Sequence, residues 1–292
     1  MKKTLIILLS LLCIVPLFAQ SAVESTKPEN SSLDEMRIIS LAPNVTEMVY
    51  ALGAGDQLVG RTDYCNFPAE ALAVTSIGSL WDPSMETILA LDADVAIASS
   101  IVDPTFIENL NKAGVQAYQF YEEDSFDKTD DLIREVAHVI GRDAQAEAII
   151  ADMNERIQAV EDKVSAVEDK RSVVFIIGYG DWGDFAATGD TFVDGVLQTA
   201  GGINVAKDGH SWSISKELLV QTDPDVIIIS ISEGMDAESE LRNFTTLAPY
   251  CDLTASKTGH VYTIDGDSSQ RQGVRTVETV EEIARMLYPE LF

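Results

Sequence analysis

Residues 86–99 read ETILALDADVAIAS, and the same pattern returns without a gap at residues 217–230 as ELLVQTDPDVIIIS. The two copies share Glu, two Asp, Val, Ile and Ser at equivalent positions. Further along, Lys112-Ala-Gly114 and Lys257-Thr-Gly259 each end a helical segment before a strand, where Gly supplies the left-handed cap. The repeat predicts two α/β lobes of related topology. The alternative is chance recurrence of a common helix–turn–strand signature.

Short apolar strands alternate with amphipathic helices from Arg37 to the end of the chain. The predicted strands lie at residues 38–41, 58–61, 95–98, 115–120, 173–177, 226–231 and 261–264, and several of them are continuous β-branched runs. Such runs are typical of strands buried on both faces of a parallel sheet. The sequence therefore predicts an α/β fold with two Rossmann-like lobes and a ligand cleft between them.

Residues 143–170 contain neither Gly nor Pro. Apart from the adjacent pair Ile149 and Ile150, their apolar residues recur at spacings of three and four, at Ala146, Ile149, Ile150, Met153, Ile157, Val160, Val164 and Val167. This single stripe predicts one helix of about 40 Å that joins an N-terminal lobe (37–142) to a C-terminal lobe (171–292). A stiff connection implies little movement between lobes, whereas an ordinary long helix within one domain is the alternative.

The first residues have the pattern of an export signal. Lys2 and Lys3 precede an apolar run, and Pro16-Leu17-Phe18-Ala19 offers a cleavage site, so residues 1–19 are predicted to be removed on export to the periplasm. Lipidation of Cys13 is the less favoured alternative, because Leu12 stands where a small residue is expected. Residues 20–36 read as a disordered leader, and Cys65 and Cys251 are predicted to be unpaired.

The composition excludes several classes of function. The 292 residues include 48 acidic and 20 basic side chains, a net charge of −28, which argues against nucleic-acid binding and is typical of a soluble monomer. The three histidines form no pair at metal-ligand spacing, and neither a nucleophile elbow nor a phosphate loop is present. We therefore expect no cofactor, no dedicated metal site and no enzymatic activity, with an exported enzyme on a two-lobed scaffold as the alternative.

Aromatic residues concentrate in the loops that follow predicted strands. Trp81, Trp182 and Trp212 all occupy such loops, and Tyr64 and Phe185 accompany them. Because ligands of open parallel sheets bind beyond the carboxyl ends of the strands, these residues predict a cleft for a large, flat or apolar ligand. Packing within each lobe is the alternative for any single Trp.

Two arginines follow the last predicted strand. Arg271 and Arg275 are rare cations in an acidic chain, so they are candidates to anchor an anionic or amide-bearing group of the ligand. The alternative is a salt bridge with Asp265 or Asp267, and both interpretations can hold together.

A succession of short motifs between residues 37 and 99 resembles a known family. These are Ser-Leu-Ala-Pro (40–43), Thr-Glu (46–47), Leu-Gly (52–53), Asp-Tyr (63–64) and Glu-x-Ile-x-x-Leu-x-x-Asp (86–94). The chain resembles the helical-backbone periplasmic binding proteins of ABC importers, which carry cobalamin, ferric siderophores or haem. The resemblance extends over residues 37–292 and is strongest to the cobalamin-binding members.

The resemblance implies capture of a corrinoid and its delivery to an ABC importer. Tyr64, Trp81, Phe185 and Trp212 match cleft aromatics of the cobalamin-binding members, and Asp267 and Arg271 match their acidic–basic pair. Asn44 stands where those members have a small residue, and Ser268-Ser269 replace bulkier ones. A ferric siderophore or haem is the alternative ligand, with Arg271, Arg275 and Tyr64 facing the anionic chelate. Any metal would belong to the ligand.

The resemblance also implies a partner. In the family, glutamates at the positions of Glu86 and Glu217 project from the two lobes and meet arginines of the two permease subunits at the inner membrane. The alternative is that each glutamate only stabilises the first turn of its helix through the helix dipole.

Overall fold

The computed structural model describes residues 35–99, 102–120 and 125–292. The predicted signal peptide, Cys13 and the leader up to residue 34 lie outside the described residues.

The sheet of the first lobe is entirely parallel and has the strand order β3-β2-β1-β4-β5. Its strands are β1 (Ile38–Ser40), β2 (Leu58–Arg61), β3 (Thr75–Ser76), β4 (Val95–Ala98) and β5 (Gln116–Gln119). Helices α1 (Pro43–Ala51), α2 (Met85–Ala90), α3 (Pro104–Lys112) and α4 (Thr129–Val139) lie between and after these strands.

The second sheet is mixed rather than entirely parallel. Its path is β11-β10-β6-β7-β9, with β8 beside β6, and both β7 pairings are antiparallel. The strands are β6 (Ser172–Gly178), β7 (Asp184–Ala186), β8 (Ile203–Asn204), β9 (Ser213–Ile214), β10 (Val226–Ile231) and β11 (Val261–Asp265). The helices of this lobe are α6 (Phe192–Thr199), α7 (Lys216–Thr222), α8 (Ala237–Thr246), α9 (Thr254–Thr258), α10 (Gly266–Gln270) and α11 (Thr276–Leu287). The predicted two-lobed α/β fold is confirmed, and the antiparallel hairpin is an addition to it.

Central strands are buried on both faces, as their apolar runs predict. In β1, Ile38 joins one apolar layer together with Val95 and Ile97, whereas Ile39 joins the opposite layer together with Ala96. This alternation follows from the two-residue period of a strand. Helices therefore cover both faces of the sheet, and its carboxyl-terminal edge remains available for a site.

Helix α5 (Asp143–Val164) joins the two lobes. Ala146, Ile150 and Met153 lie in a core of the first lobe, and Val160 and Val164 lie in a core of the second. The predicted spanning helix is thus confirmed, but it ends six residues before the predicted residue 170, so its length is about 33 Å. The Ser165 hydroxyl donates to the carbonyl of Asp162, and the chain then turns back toward β6.

The last helix strengthens the connection between the lobes. Val277 of α11 packs in a core of the first lobe, whereas Ile283 and Leu287 pack in a core of the second. Arg156 of α5 is 2.9 Å from Glu281 of α11. Two adjacent helices, rather than α5 alone, therefore cross from one lobe to the other.

Two further observations concern the described residues. Cys65 and Cys251 are both unpaired, as predicted. Within residues 35–99, 102–120 and 125–292, every helix is too short or too polar to cross a membrane.

Gly60 of β2 shows how tightly the first sheet is packed, and it gives a test of that packing. A Cβ atom there would lie 2.5 Å from Cδ1 of Ile39. We expect Gly60→Ala to lower the free energy of unfolding by about 1–3 kcal/mol through overpacking. Ile39→Val, which removes Cδ1, should cost about 0.5–1.5 kcal/mol alone. In the double variant the combined loss should be smaller than the sum of the two, measured by urea unfolding; strictly additive losses would contradict this contact.

Candidate functional site

The carboxyl ends of strands from both lobes meet at one place. Residues 62–68 follow β2 in the first lobe, and residues 266–275 follow β11 in the second. The side-chain amide of Asn66 donates to Asp267 at 2.7 Å, and Arg271 donates to the backbone carbonyl of Tyr64 at 3.2 Å. The structure therefore brings together three of the predicted site residues, Tyr64, Asp267 and Arg271.

Glu47 of α1 holds both predicted arginines. Its Oε1 lies 3.0 Å from Nη1 of Arg271 and 2.6 Å from Nη2 of Arg275, and its Oε2 accepts from Nε of Arg275 at 2.8 Å. Nη2 of Arg271 is also 2.9 Å from Asp267. We call Glu47, Asp267, Arg271 and Arg275 the interlobe ion cluster. It links the second lobe to α1 of the first.

The interlobe ion cluster is shielded from water. The side chain of Glu47 is 2% exposed, and those of the two arginines are each 13% exposed. Arg275 stacks on the ring of Phe67 at 4.1 Å. Burial alone would lower the pKa of Arg275, but the hydrogen bonds and charge of Glu47 outweigh it and raise the pKa above its ordinary value. The sequence analysis expected Asp265 or Asp267 as the salt-bridge partner, and Asp267 is confirmed for Arg271. The pairing of Glu47 with both arginines was not predicted.

The polar contacts continue on both sides of the interlobe ion cluster. Asn44 donates to the backbone carbonyl of Gln272 at 2.9 Å, and Gln272 donates to the carbonyl of Ser125 at 2.7 Å. The side-chain oxygen of Asn44 accepts from Ser99. Asn44 thus lies in the contact between lobes, where it ties α1 to the segment that carries both arginines.

The predicted aromatic residues lie in turns and bends of the two lobes, except for Phe185, which lies in a strand. Trp81 and Trp182 occupy a bend and a turn and are 77% and 96% exposed, whereas Tyr64 is 50% exposed. Phe185 lies in strand β7 rather than in the predicted loop, yet its ring remains 41% exposed. Trp212 is in a turn and packs partly on a core of the second lobe. Exposed aromatic rings of this number suit contact with a ligand or a partner.

Hydrogen bonds hold the turn that carries Trp182 in place. Asp184 accepts hydrogen bonds from the backbone N–H of Gly180 at 3.2 Å and from the Tyr250 hydroxyl, and Lys216 donates to the carbonyl of Gly180. Burial and the hydrogen bond to Asp184 raise the pKa of Tyr250, which therefore stays protonated as a donor. An exposed Trp on a fixed turn presents its ring with little loss of conformational entropy on binding.

The sequence repeat is also a structural repeat. Ser84 and Ser215 cap helices α2 and α7 by accepting from backbone N–H groups three residues later. After these helices, Asp92 and Asp223 both adopt left-handed backbone angles, with φ of 47° and 40°. Two residues further on, Asp94 accepts from the backbone of Arg37 and Asp225 accepts from that of Ser172, each at 2.8 Å.

Glu86 and Glu217 occupy the same position of the two repeats. Each is exposed in the first turn of its capped helix, and neither has a salt-bridge partner within the described parts of the chain. Trp81 and Trp212 precede the capping serines by three residues in both copies, so the repeat begins earlier than the sequence analysis recognised. Extending the alignment of the two copies toward the N-terminus would have revealed the equivalent tryptophans.

Glu47 belongs to the Thr-Glu motif quoted for the resemblance, but no role in the site was predicted for it. It is the only charged residue in α1, whose neighbours Val45, Met48 and Val49 are all buried. A single acid in an apolar helix signals a buried charge that requires a partner. Asn66 was missed as well, because nothing in its local sequence indicates that it contacts the other lobe.

A cavity of about 500 Å³ lies beside this contact. Asn66 and Leu72 contribute from the first lobe, and its carboxylates are Glu233, Asp265, Asp267 and Glu282 of the second. Glu233 is 3.2 Å from the amide of Asn66. The surroundings of the interlobe ion cluster are therefore negative. Within the described residues, no three His, Cys, Asp or Glu side chains converge as a metal site.

Comparison with known proteins places these observations in a family context. The family described as "Periplasmic binding protein" matches residues 38–268. An uncharacterised ABC transporter substrate-binding lipoprotein, YvrC of Bacillus subtilis (strain 168), is 28% identical over 262 residues, which cover 88% of this chain and 81% of the relative. A cobalamin-binding protein of Halobacterium salinarum is 27% identical over 263 residues, with 86% and 69% covered. The solved structure of the periplasmic haem-binding protein RhuT from Roseiflexus sp. RS-1 has a TM-score of 0.77 at 25% identity, with 88% of this chain and 100% of that chain covered.

Proposed function

Because the chain belongs to the periplasmic binding protein family, we propose that it captures a corrinoid, a cobalamin-like ligand, and delivers it to an ABC importer. The general role, that of an extracytoplasmic substrate-binding protein associated with an ABC transporter, is common to the relatives. The choice of ligand rests on one observation, the combination of exposed aromatic rings with arginines whose charges are already neutralised.

The aromatic residues favour a large, flat ligand. Tyr64, Trp81, Trp182, Phe185 and Trp212 come from both lobes, and four of the five are exposed. Rigid aromatic rings supply extensive apolar contact at low entropic cost, as the face of a tetrapyrrole-like macrocycle requires. These five residues are the proposed walls of the site.

The charges favour an uncharged ligand over an anionic one. Glu47 and Asp267 compensate Arg271 and Arg275, and the adjoining cavity adds Glu233 and further carboxylates. Haem carries two carboxylates, which would meet this negative surface without an uncompensated guanidinium charge, whereas the periphery of a corrinoid carries neutral amides. Nε of Arg271 and Nη1 of Arg275 have no hydrogen-bond partner within the described residues and can donate to amide carbonyls.

A ferric siderophore or haem is the second candidate ligand. It is supported by the half-exposed phenol of Tyr64, an oxygen donor suited to ferric iron. The fold is equally compatible with it, since RhuT is named as a haem-binding protein. In either case the chain needs no cofactor of its own, and the metal enters as part of the ligand. An exported enzyme would instead reveal itself by turnover of a candidate substrate.

Glu86 and Glu217 are the proposed contacts with the importer. They are exposed, acidic and equivalent in two lobes of related topology, so they suit a receptor with two related subunits that present arginines. The location that accompanies this role is the periplasm, after removal of the N-terminal signal, with lipidation at Cys13 as the alternative.

Titration with cyanocobalamin tests the ligand. We expect it to quench the intrinsic fluorescence, and Trp81→Ala and Trp212→Ala should each weaken binding by about 1–3 kcal/mol, the range of a buried aromatic anchor. Ile203→Ala is the matched control, because Ile203 is exposed but pairs with Ser172 at the amino end of β6. Parallel titrations with haemin and a ferric siderophore distinguish the second candidate. Unchanged affinity in both Trp variants would contradict the aromatic walls.

Uptake assays at limiting ligand test the importer contacts. Glu86→Ala and Glu217→Ala should leave ligand affinity intact and impair transport, more strongly together than singly, because each removes one charged contact. Substitution by Lys should impair transport further through repulsion between like charges. Glu238→Ala is the control: Glu238 is exposed and lies in the first turn of α8, after the capping residue Asp236. Normal uptake by the double variant would leave only the helix-dipole role.

Intact mass spectrometry of the exported protein tests the location. We expect a mature chain that lacks about 19–22 residues, because the apolar run ends at Ala19. A diacylglycerol adduct on Cys13 would instead support a lipoprotein.

A further inference from the structure

We infer that Glu47 determines the charge of the ligand that this protein accepts. Its carboxylate acts as an internal counter-anion that occupies Arg271 and Arg275 and so excludes ligand carboxylates from them. The inference rests on the proposed function only in taking the contact between the lobes as the ligand site. Glu47 is a positioning residue here, because it acts on the ligand through the two arginines.

The geometry leaves little of either guanidinium charge available. Both oxygens of Glu47 are engaged, with Oε1 between the two arginines and Oε2 on Nε of Arg275. Asp267 takes Nη2 of Arg271, and the side-chain oxygen of Asn66 accepts from its Nη1 at 2.8 Å. Nε of Arg271 and Nη1 of Arg275 have no partner within the described residues, so a ligand group can accept from them, but a carboxylate would find no uncompensated positive charge there.

The charge balance opposes the entry of an anion. Two guanidinium groups face two carboxylates within the interlobe ion cluster, and Glu233 adds a third carboxylate through Asn66. An incoming anion therefore meets a site whose formal charge is already negative. At 2% exposure, the charge of Glu47 is weakly screened by water, so its repulsion of a second anion is stronger than that of a surface acid.

Removal of Glu47 should reverse this preference. A partly buried cation that loses its counter-ion is costly, and the nearest remedy is another anion at the same place. Both arginines are 13% exposed, so a ligand that enters between the lobes has a path to them. If Glu47 served only to hold the lobes together, its loss would weaken charged and uncharged ligands alike.

A matched pair of ligands separates these roles. Cyanocobalamin and its monocarboxylic acid derivative differ by one peripheral amide that is hydrolysed to a carboxylate, and haemin supplies a dicarboxylate on another macrocycle. Dissociation constants of the three, measured by fluorescence quenching at low and high salt, give the preference for neutral over anionic ligands. In the wild type we expect the neutral corrinoid to bind more tightly than its acid.

Glu47→Gln keeps the shape of the side chain and removes its charge. We expect it to shift the affinity ratio of acid to amide corrinoid, and the affinity for haemin, toward the anion by about tenfold or more. The gain should shrink as salt rises, because it is electrostatic. Asp267→Asn, at a side chain that is 31% exposed, should shift the ratio in the same direction by less and guards against a folding defect in the first variant.

Glu281→Gln is the matched control. Glu281 also pairs with an arginine, Arg156, at 2.9 Å, but it does so between α11 and α5. It should lose some stability and leave the affinity ratio unchanged. An unchanged ratio in both Glu47→Gln and Asp267→Asn, or equal losses for charged and uncharged ligands, would overturn the inference. A wild type that binds haemin and not cyanocobalamin would refute the corrinoid proposal. The inference about Glu47 would then stand only if Glu47→Gln raised the affinity for haemin, and an unchanged haemin affinity would overturn it as well.

Discussion

The buried carboxylate of Glu47 constrains much of the molecule. A carboxylate with 2% exposure is tolerated only when its charge is paired and its oxygens are hydrogen-bonded, and here the partners come from the other lobe. The segment between α10 and α11 must therefore remain against α1. Asn44 and Gln272 extend the same contact, and helices α5 and α11 each pack in cores of both lobes. The interlobe ion cluster thus fixes how the two sheets meet.

Because the interlobe ion cluster fixes the relative position of the two lobes, we expect the ligand site to be preformed. Little hinge motion has to be arrested on binding, so more of the contact energy remains for affinity. The same principle holds within the second lobe, where Asp184 and Tyr250 hold the turn of Trp182. We expect arginines whose charges are compensated within the protein to favour neutral ligand groups, because a neutral acceptor does not require an uncompensated cation.

Much of the fold follows from local sequence, whereas much of the site does not. Apolar runs such as Val226–Ile231 identify strands, and the stripe of α5 identifies a helix that reaches both cores. The end of α5 was misjudged because the apolar stripe continues to Val167, whereas the backbone turns at Ser165. The antiparallel strand that contains Phe185 has three residues, too few for a periodic signal. The pairing of Glu47 with Arg275 joins distant positions, and no spacing rule predicts it.

The repeated segments carry residues that we propose for ligand binding and residues that we propose for contact with the importer. In each lobe a Trp, a capping Ser and an exposed Glu follow at the same spacings, Trp81 to Glu86 and Trp212 to Glu217. One local structure, the start of a capped helix, therefore positions both a residue proposed for the ligand and a residue proposed for the importer. The distance between the two glutamates then depends on how the lobes are joined, which the interlobe ion cluster constrains. A receptor with two matching sites could accordingly recognise the pair at a separation that the protein sets before any ligand arrives.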